Sequence, residues 1–192
     1  MRYDRQSVSF CHQIIFLSGT ESFPVAICQN YKRFRCKLFP GKRFHEYAAS
    51  KKQYFFGIKV HMIVNSDGVP IEFVFSPGGE ADIRGFHKLE LTIPRGSTLF
   101  ADSAYTDYAL EDFLKQEWAI HLISKRKKNA KRKHTSYDQL KLSLTRNRIE
   151  TVFSGINALM PRCIRAKTER GFCLKVMFFI LAYTIKLSIK QL

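Results

Sequence analysis

The segment 54–76 constrains the fold of this chain more than any other part, because it has the pattern of a long β-hairpin. Residues 54–64 are rich in aromatic and β-branched side chains, and residues 69–76 return with the same character. Between them lies Asn65-Ser-Asp-Gly68, and an Asp-Gly pair tolerates the positive φ angles that tight turns require. The sequence therefore predicts two antiparallel strands around which a sheet is built.

The remaining apolar runs and helical patterns predict an α/β domain. Further strands are expected at residues 10–18, 97–102 and 119–124, and helices at 82–91, 108–117, 138–159 and 169–189. Strands that alternate with helices are typical of α/β folds, and the antiparallel hairpin makes the sheet mixed. A chain of 192 residues is long enough for one domain with a real core. We expect a single domain over residues 1–192, with a mixed central sheet of about five strands flanked by helices.

Three carboxylates stand out against the strong positive charge of the chain. Asp102 ends the apolar strand 97–102, and open α/β sheets place their chemistry at the carboxyl ends of strands. Glu21 follows the apolar residues 14–17, and Glu150 lies in the first part of a predicted helix. Acids drawn from two strands and a helix, in a chain of net charge +16, indicate a divalent metal that acts on a polyanion.

The positive charge favours a phosphate-rich partner. Lys and Arg number 32 against 16 Asp and Glu, and each phosphate that a protein neutralises releases counterions. Residues 125–133 contain seven Lys or Arg in nine positions. Such a run repels itself, which predicts a mobile surface loop at 125–134. It is interpreted as a loop that contacts DNA, with a solvated linker as the alternative.

The most apolar stretch lies near the end of the chain. Residues 176–185 are ten in number with a lysine at each edge, whereas a membrane span needs about 20 residues. The pattern therefore predicts a buried core helix and no membrane. With no signal peptide in view, a cytoplasmic protein is expected.

Five segments resemble, in the same order, motifs of the DDE transposases of bacterial insertion sequences. Thr20-Glu-Ser-Phe-Pro-Val-Ala-Ile-Cys28 is similar to the segment around the family's first acid, and Phe100-Ala-Asp-Ser-Ala-Tyr105 to the second-acid motif. Arg146-Asn-Arg-Ile-Glu150 is similar to the third-acid helix. Residues 54–61 and 72–78, the latter with Asp82, resemble the second strand and the turn before the first helix. The resemblance covers about residues 14–187.

The resemblance implies an RNase H-like fold and a metal-dependent enzyme that cuts DNA at transposon ends and joins them to a target. By this resemblance, Glu21, Asp102 and Glu150 would be the catalytic acids that hold Mg²⁺ or Mn²⁺. Insertion-sequence ends and target DNA would be the partners, the protein would associate with the nucleoid, and a homodimer is compatible with it. Charge and motif together predict the DNA-binding residues Arg146, Arg148, Lys125, Arg126, Lys127, Lys128, Lys131, Arg132 and Lys133.

The sequence departs from the family pattern in three places. The first acid is Glu21, where relatives have Asp. Ser143 and Asn157 stand where many relatives carry a Tyr and a Lys or Arg. Only twenty residues precede Glu21, so we expect the usual N-terminal DNA-binding region to be missing and the chain to be a truncated or degenerate copy.

Other interpretations stay open at this point. The chain could be a catalytically inactive DNA-binding remnant, or an RNase H-type nuclease that acts on RNA, because function depends on the site and not on the fold. Individually, Glu21 could be an exposed loop residue and Asp102 a helix cap. Glu150 could simply pair with Arg146 across one helical turn.

Overall fold

The structure is a computed structural model that describes residues 17–28, 35–48 and 53–190. Its strands are β1 (Leu17–Ala26), β2 (His45–Ala48), β3 (Gln53–Asn65), β4 (Pro70–Pro77), β5 (Thr98–Ala101) and β6 (His121–Ser124). Its helices are α1 (Asp82–Phe86), α2 (Tyr108–Trp118), α3 (Ser136–Leu159) and α4 (Glu169–Lys190), and short 3-10 turns occupy Lys42–Phe44 and Ser103–Tyr105.

The sheet is mixed, with the predicted hairpin at its antiparallel end. β3 pairs antiparallel with β4, with β1 and, through its first residues, with β2. β1 then pairs parallel with β5, and β5 pairs parallel with β6. The side chain of Asn65 accepts hydrogen bonds from the backbone N–H groups of Asp67 and Val69, which closes the turn as its sequence predicts. The expected mixed sheet is confirmed, with one strand more than the expected number.

Helices cover both faces of the sheet, so β3 is buried on both sides. Ile58, Val60 and Met62 point into a core that is shared with α3 and α4. Ile63 points into a second core with α1, α2 and β5. A strand that is covered on both faces has a nearly continuous apolar sequence, which is why residues 54–64 gave so clear a signal.

The first strand lies further along the chain than predicted. The strand expected at residues 10–18 falls mostly outside the described residues, and the observed β1 carries Glu21 in its middle rather than after its end. The prediction that Glu21 follows the strand is therefore wrong. The cause is the composition of β1, since its first half contains Ser18, Gly19 and Thr20, which do not look like a buried strand. The strand β2 was not predicted.

The last helix is only partly buried. Phe172, Val176, Ile180 and Tyr183 pack into the core on one side of α4. The other side exposes a stripe of large apolar side chains, Leu174, Phe178, Leu181, Ile185 and Ile189. By length and composition α4 could cross a membrane, with a mean hydropathy of 1.8 over its apolar window, and 17% of that window is buried. The prediction of a buried helix therefore holds for one face and is wrong for the other.

Candidate active site

Two of the three acids meet on neighbouring parallel strands. Thr20 of β1 pairs with Ala101 of β5, so the next residues, Glu21 and Asp102, lie side by side at the same level of the sheet. Asp102 directly follows β5 and precedes the 3-10 turn. This is the strand-end position that the sequence predicted for it. Both carboxylates line one cleft.

Helix α3 brings Arg146 into the cleft and places the third acid, Glu150, beside Arg146, although Glu150 is not among the residues that line the cleft. It crosses the sheet close to β1, at a point where β1 has only a glycine. A Cβ added at Gly19 would lie 2.4 Å from both the Ile149 Cδ1 and the Thr145 Cγ2 atoms. The absence of a side chain thus permits a close approach of α3 to β1. Residues next to this contact, Arg146 and Glu150, are carried toward Asp102.

The side chain of Arg146 joins two of the acids. Its Nε donates a hydrogen bond to Glu150 Oε1 at 2.9 Å, one helical turn along α3. One of its terminal nitrogens lies 3.5 Å from Asp102 Oδ1. The hydrogen bond to Glu150 and the charges of Asp102 and Glu21 raise the pKa of Arg146. The suggestion that Glu150 pairs with Arg146 is therefore confirmed, and the same guanidinium reaches Asp102 as well.

Glu21 carries an incompletely satisfied carboxylate. Its Oε2 is buried and has no hydrogen-bond partner among the residues that the structure describes. Burial raises the pKa of Glu21 from 4.5 to about 7, and the nearby charges of Asp102 and Glu150 add to that rise, while Arg146 opposes it. The charge of Arg146 therefore does not offset the burial of this carboxylate. It is not the exposed loop residue that one interpretation of the sequence allowed.

The donor set suits a hard divalent cation, but the acids are not gathered around one point. Carboxylate oxygens are ligands that Mg²⁺ prefers, and the orphaned Oε2 of Glu21 is a free acceptor for one. Within residues 17–28, 35–48 and 53–190, however, no group of three or more His, Cys, Asp or Glu side chains is close enough to hold a metal ion. In this arrangement the guanidinium of Arg146 provides the positive charge between Asp102 and Glu150.

The same cleft is also lined by basic residues. The cleft has a volume of about 540 Å³. Its cationic lining residues, apart from Arg146, are Lys125, Arg126, Lys127, Lys128 and Lys133. Three residues of the predicted DNA-binding set, Lys131, Arg132 and Arg148, are not among them. Arg148 lines a separate cavity of about 250 Å³ beside the β3–β4 turn.

The basic segment 125–134 is held to α2, which the sequence prediction of a mobile loop did not anticipate. Arg126 forms a hydrogen-bonded ion pair with Glu111, and Arg132 forms one with Asp112. His134 lies 2.7 Å from the backbone carbonyl of Ser124. Two of the seven cations in the run therefore have acidic partners in the fold, and the count of charges alone could not reveal this.

A buried polar network on the other face of the sheet also escaped the sequence prediction. Lys59 is 7% exposed and its ammonium contacts Glu46 at 2.8 Å and Asp82 at 3.1 Å. Ser22 donates a hydrogen bond to the same carboxylate of Asp82. Lys59 lies inside the apolar run of β3, and a buried charge requires a partner. Its position in the sequence could therefore have indicated this network.

His61 lies in the interior part of β3, among other buried residues. It is fully buried, and its ring nitrogens lie 3.2 Å from the Tyr105 hydroxyl and 2.8 Å from the Ser76 hydroxyl. Burial lowers the pKa of His61 from 6.5 to about 4. The ring is therefore neutral near pH 7 and serves as a hydrogen-bonded core residue.

Comparison with known protein families agrees with this site. The family model described as "Transposase DDE domain" matches residues 4–185, a span that reaches from before β1 to the last turns of α4. No curated protein and no solved structure matched the chain. Members of this family are transposases of RNase H-like fold that act on DNA and generally use a divalent metal. The chain belongs to the family of transposase DDE domains.

Proposed function

We propose that this domain cuts DNA strands at insertion-sequence ends and transfers them to a target in a metal-dependent reaction. The observation that carries the proposal is that Glu21, Asp102 and Arg146, which pairs with Glu150, line one cleft together with several lysines. Acids and cations that line the same cleft suit a phosphodiester whose backbone is held while one bond is attacked.

Glu21, Asp102 and Glu150 are the residues that would hold Mg²⁺ or Mn²⁺. Their oxygen donors and the unpartnered Oε2 of Glu21 support this assignment. Such ions, when bound, activate a water or a 3′-hydroxyl and stabilise the leaving oxygen. Arg146 contacts one oxygen of Asp102 and one oxygen of Glu150, so an ion held by these acids would share them with the guanidinium.

The residues of the cleft have separate tasks in this proposal. Arg146, which is partly exposed, can offer its planar guanidinium to two oxygens of a phosphate once the acids release it. The lysines of the basic segment hold the DNA backbone and fix its position without reading its sequence. Glu21, with a pKa of about 7 before an ion binds, can hold or release a proton near neutral pH.

The test is a nicking assay on DNA that carries insertion-sequence ends, with Mn²⁺ or Mg²⁺ present. Wild-type protein should nick this DNA, and Asp102→Ala should reduce nicking to background while DNA retention stays unchanged. Glu21→Asp serves as a second variant, because Mg²⁺ demands near-ideal geometry and a displacement of about 1 Å can cost roughly a hundredfold in rate. If neither wild type nor Glu21→Asp cuts DNA at any metal concentration, the proposal is wrong.

An inactive DNA-binding remnant is the second candidate. It is favoured by the longer side chain at Glu21 and by the absence of a gathered ligand group among the residues that the structure describes. It predicts salt-sensitive DNA retention with no cleavage in wild type and no effect of Asp102→Ala on retention. Nicking that appears only in Glu21→Asp would identify a degenerate enzyme. Preferential cleavage of an RNA–DNA hybrid would instead indicate an RNase H-type nuclease.

We also propose that the protein works away from membranes, on DNA in the nucleoid, and as a homodimer. The apolar helix α4 packs its inner face on α3 and the sheet, and the family match extends into it, which supports its assignment as part of the domain.

A further inference from the structure

A buried ion pair fixes the start of the basic segment. Arg126 donates to both carboxylate oxygens of Glu111, at 2.7 Å and 2.6 Å, and Ser124 donates to the first of them at 2.9 Å. The side chains of Arg126 and Glu111 are only 9% and 8% exposed. A buried bidentate pair of this kind restricts both partners to one geometry.

A second contact fixes the far part of the segment to the same helix. Arg132 donates to both oxygens of Asp112 at 2.7 Å and 2.8 Å, and it lies 3.9 Å from Glu111. The ring of Tyr108 has the guanidinium carbons of Arg126 and Arg132 each 4.9 Å from its centre. Two arginines that are six residues apart are thus attached to one turn of α2.

The lysines between and beside these arginines are left for the cleft. Lys125, Lys127, Lys128 and Lys133 all line it, together with Glu21 and Asp102. A run of seven cations would by itself repel and disperse. Its attachment to α2 at two points keeps these four lysines beside the cleft.

We propose that Tyr108, Glu111 and Asp112, which we call the α2 clamp, are positioning residues that hold the basic segment so that its lysines grip the DNA backbone. This inference rests on the proposed function, because it takes DNA to be the occupant of the cleft. The clamp residues themselves touch no DNA. They act through Arg126 and Arg132, whose side chains hold the segment on α2.

The direction in which DNA affinity changes distinguishes this positioning role from a general effect of charge. Neutralising an acid raises the net charge from +16 to +17 and, by charge alone, should strengthen binding to DNA. If Glu111 or Asp112 positions the lysines, neutralising it should weaken binding instead. Glu117 lies on the same helix, is exposed and has no side-chain partner in the basic segment, so Glu117→Gln is the matched control for charge.

The experiment measures the dissociation constant for duplex DNA as a function of salt in wild type, Glu111→Gln, Asp112→Asn, Arg126→Lys and Glu117→Gln. Each phosphate contact contributes about 0.9 to the salt slope, so losing two to four lysine contacts should lower the slope by roughly 2 to 4 and weaken binding about tenfold or more. Arg126→Lys keeps the charge but lacks the planar fork, and it should weaken binding in the same direction. Glu117→Gln should bind as tightly as wild type or slightly more tightly.

Two further measurements distinguish a loss of lysine positioning from damage to the acids of the site. At saturating DNA the clamp variants should nick at the wild-type rate, with only the half-saturating DNA concentration raised, because the acids of the site are untouched. Tryptic cleavage within residues 125–133 should become faster in the clamp variants. Asp112 is exposed, so Asp112→Asn should fold even if Glu111→Gln does not.

The clamp proposal is wrong if wild type binds DNA with a steep salt slope while folded Asp112→Asn and Arg126→Lys bind DNA as tightly as Glu117→Gln does. A wild-type protein that binds no DNA would overturn the proposed function and the clamp together. If wild type binds DNA but neither wild type nor Glu21→Asp cuts it, only the proposed function is wrong, and the binding comparison still decides on the clamp.

Discussion

Arg146 lies between acids that would otherwise repel one another. It pairs with Asp102 and Glu150, and its charge opposes the upward shift of the pKa of Glu21. Three carboxylates around one guanidinium leave negative charge in excess, and the excess falls on Glu21, whose Oε2 has no partner. Among the three acids, Glu21 is therefore the one whose charge is least well balanced, although lysines line the same cleft.

The raised pKa of Glu21 should make the stability of the metal-free protein depend measurably on pH. The folded-state pKa of about 7 lies above the ordinary value of 4.5, so the folded protein binds the extra proton between these values. The stability that this proton contributes is fully present below about pH 4.5 and is lost as the pH rises through 7. Glu21→Gln cannot lose it, and should therefore gain stability over wild type as the pH rises.

The shift corresponds to about 3 kcal/mol at full burial, and the partial exposure of Glu21 reduces the expected change to about 1–2 kcal/mol between pH 4.5 and 8. The measurement is urea unfolding in EDTA at several pH values, reported as the difference between variant and wild type. His61 titrates with the opposite sign, because its folded-state pKa is lowered, but it is present in both proteins and cancels. A pH-independent difference would contradict the assignment.

At the scale of elements, the site depends on how closely α3 approaches β1. Gly19→Ala would place a Cβ 2.4 Å from Ile149 and Thr145 and push α3 outward. Gly155→Ala makes a similar clash, 2.4 Å from the ring of Tyr183, but between α3 and α4. Each should destabilise the fold by about 1–3 kcal/mol through overpacking.

Only the change at Gly19 should also damage the chemistry. A shift of about 1 Å between Glu21 and the Arg146–Glu150 pair can cost roughly a hundredfold in rate. We therefore expect Gly19→Ala to lose nicking activity far beyond Gly155→Ala when both are assayed well below their melting temperatures. Equal activities in the two folded variants would show that the β1–α3 contact does not set the geometry of the site.

Elements with strong local signals were predictable from the sequence. The β3–β4 hairpin follows from its Asn-Ser-Asp-Gly turn, and Asp107 caps α2 through hydrogen bonds from Ala109 and Leu110, as its position indicated. Helix α3 begins two residues before its predicted start, where Thr135 and Asp138 form a capping box. In each case the determining residues lie within a few positions of one another.

Elements whose form depends on distant partners were not predictable in this way. β1 is a strand because β3 and β5 flank it, although buried Ser18 and Thr20 give it a polar sequence. The basic segment is fixed because Glu111 and Asp112, on α2, bind arginines that lie 15 and 20 residues further along the chain. The family resemblance implied that Asp102 and Glu150 lie near one another. That Arg146 bridges them could be seen only in the structure.

At the scale of the whole molecule, two surfaces should respond to rising salt in opposite directions. The basic wall of the cleft should lose its hold on DNA as salt rises, because counterion release weakens. The exposed stripe on α4 is apolar, and its residues recur at spacings of three and four along one face. Such a face can pair with the same face of a second copy, but copies of net charge +16 repel at low salt.

We therefore expect a homodimer that forms through α4 and becomes stronger as salt increases, while DNA binding becomes weaker. Replacing Phe178 and Ile185 together with Gln should leave a monomer at all salt concentrations. The melting temperature of the monomer should stay near that of wild type, since these side chains are 55% and 59% exposed. Sedimentation equilibrium from low to high salt measures the dimer. Leu140→Gln, which changes an exposed leucine on α3, is the control and should leave the dimer intact. A wild type that stays monomeric at high salt, or a dimer that persists in the double variant, would exclude α4 as the surface of self-association.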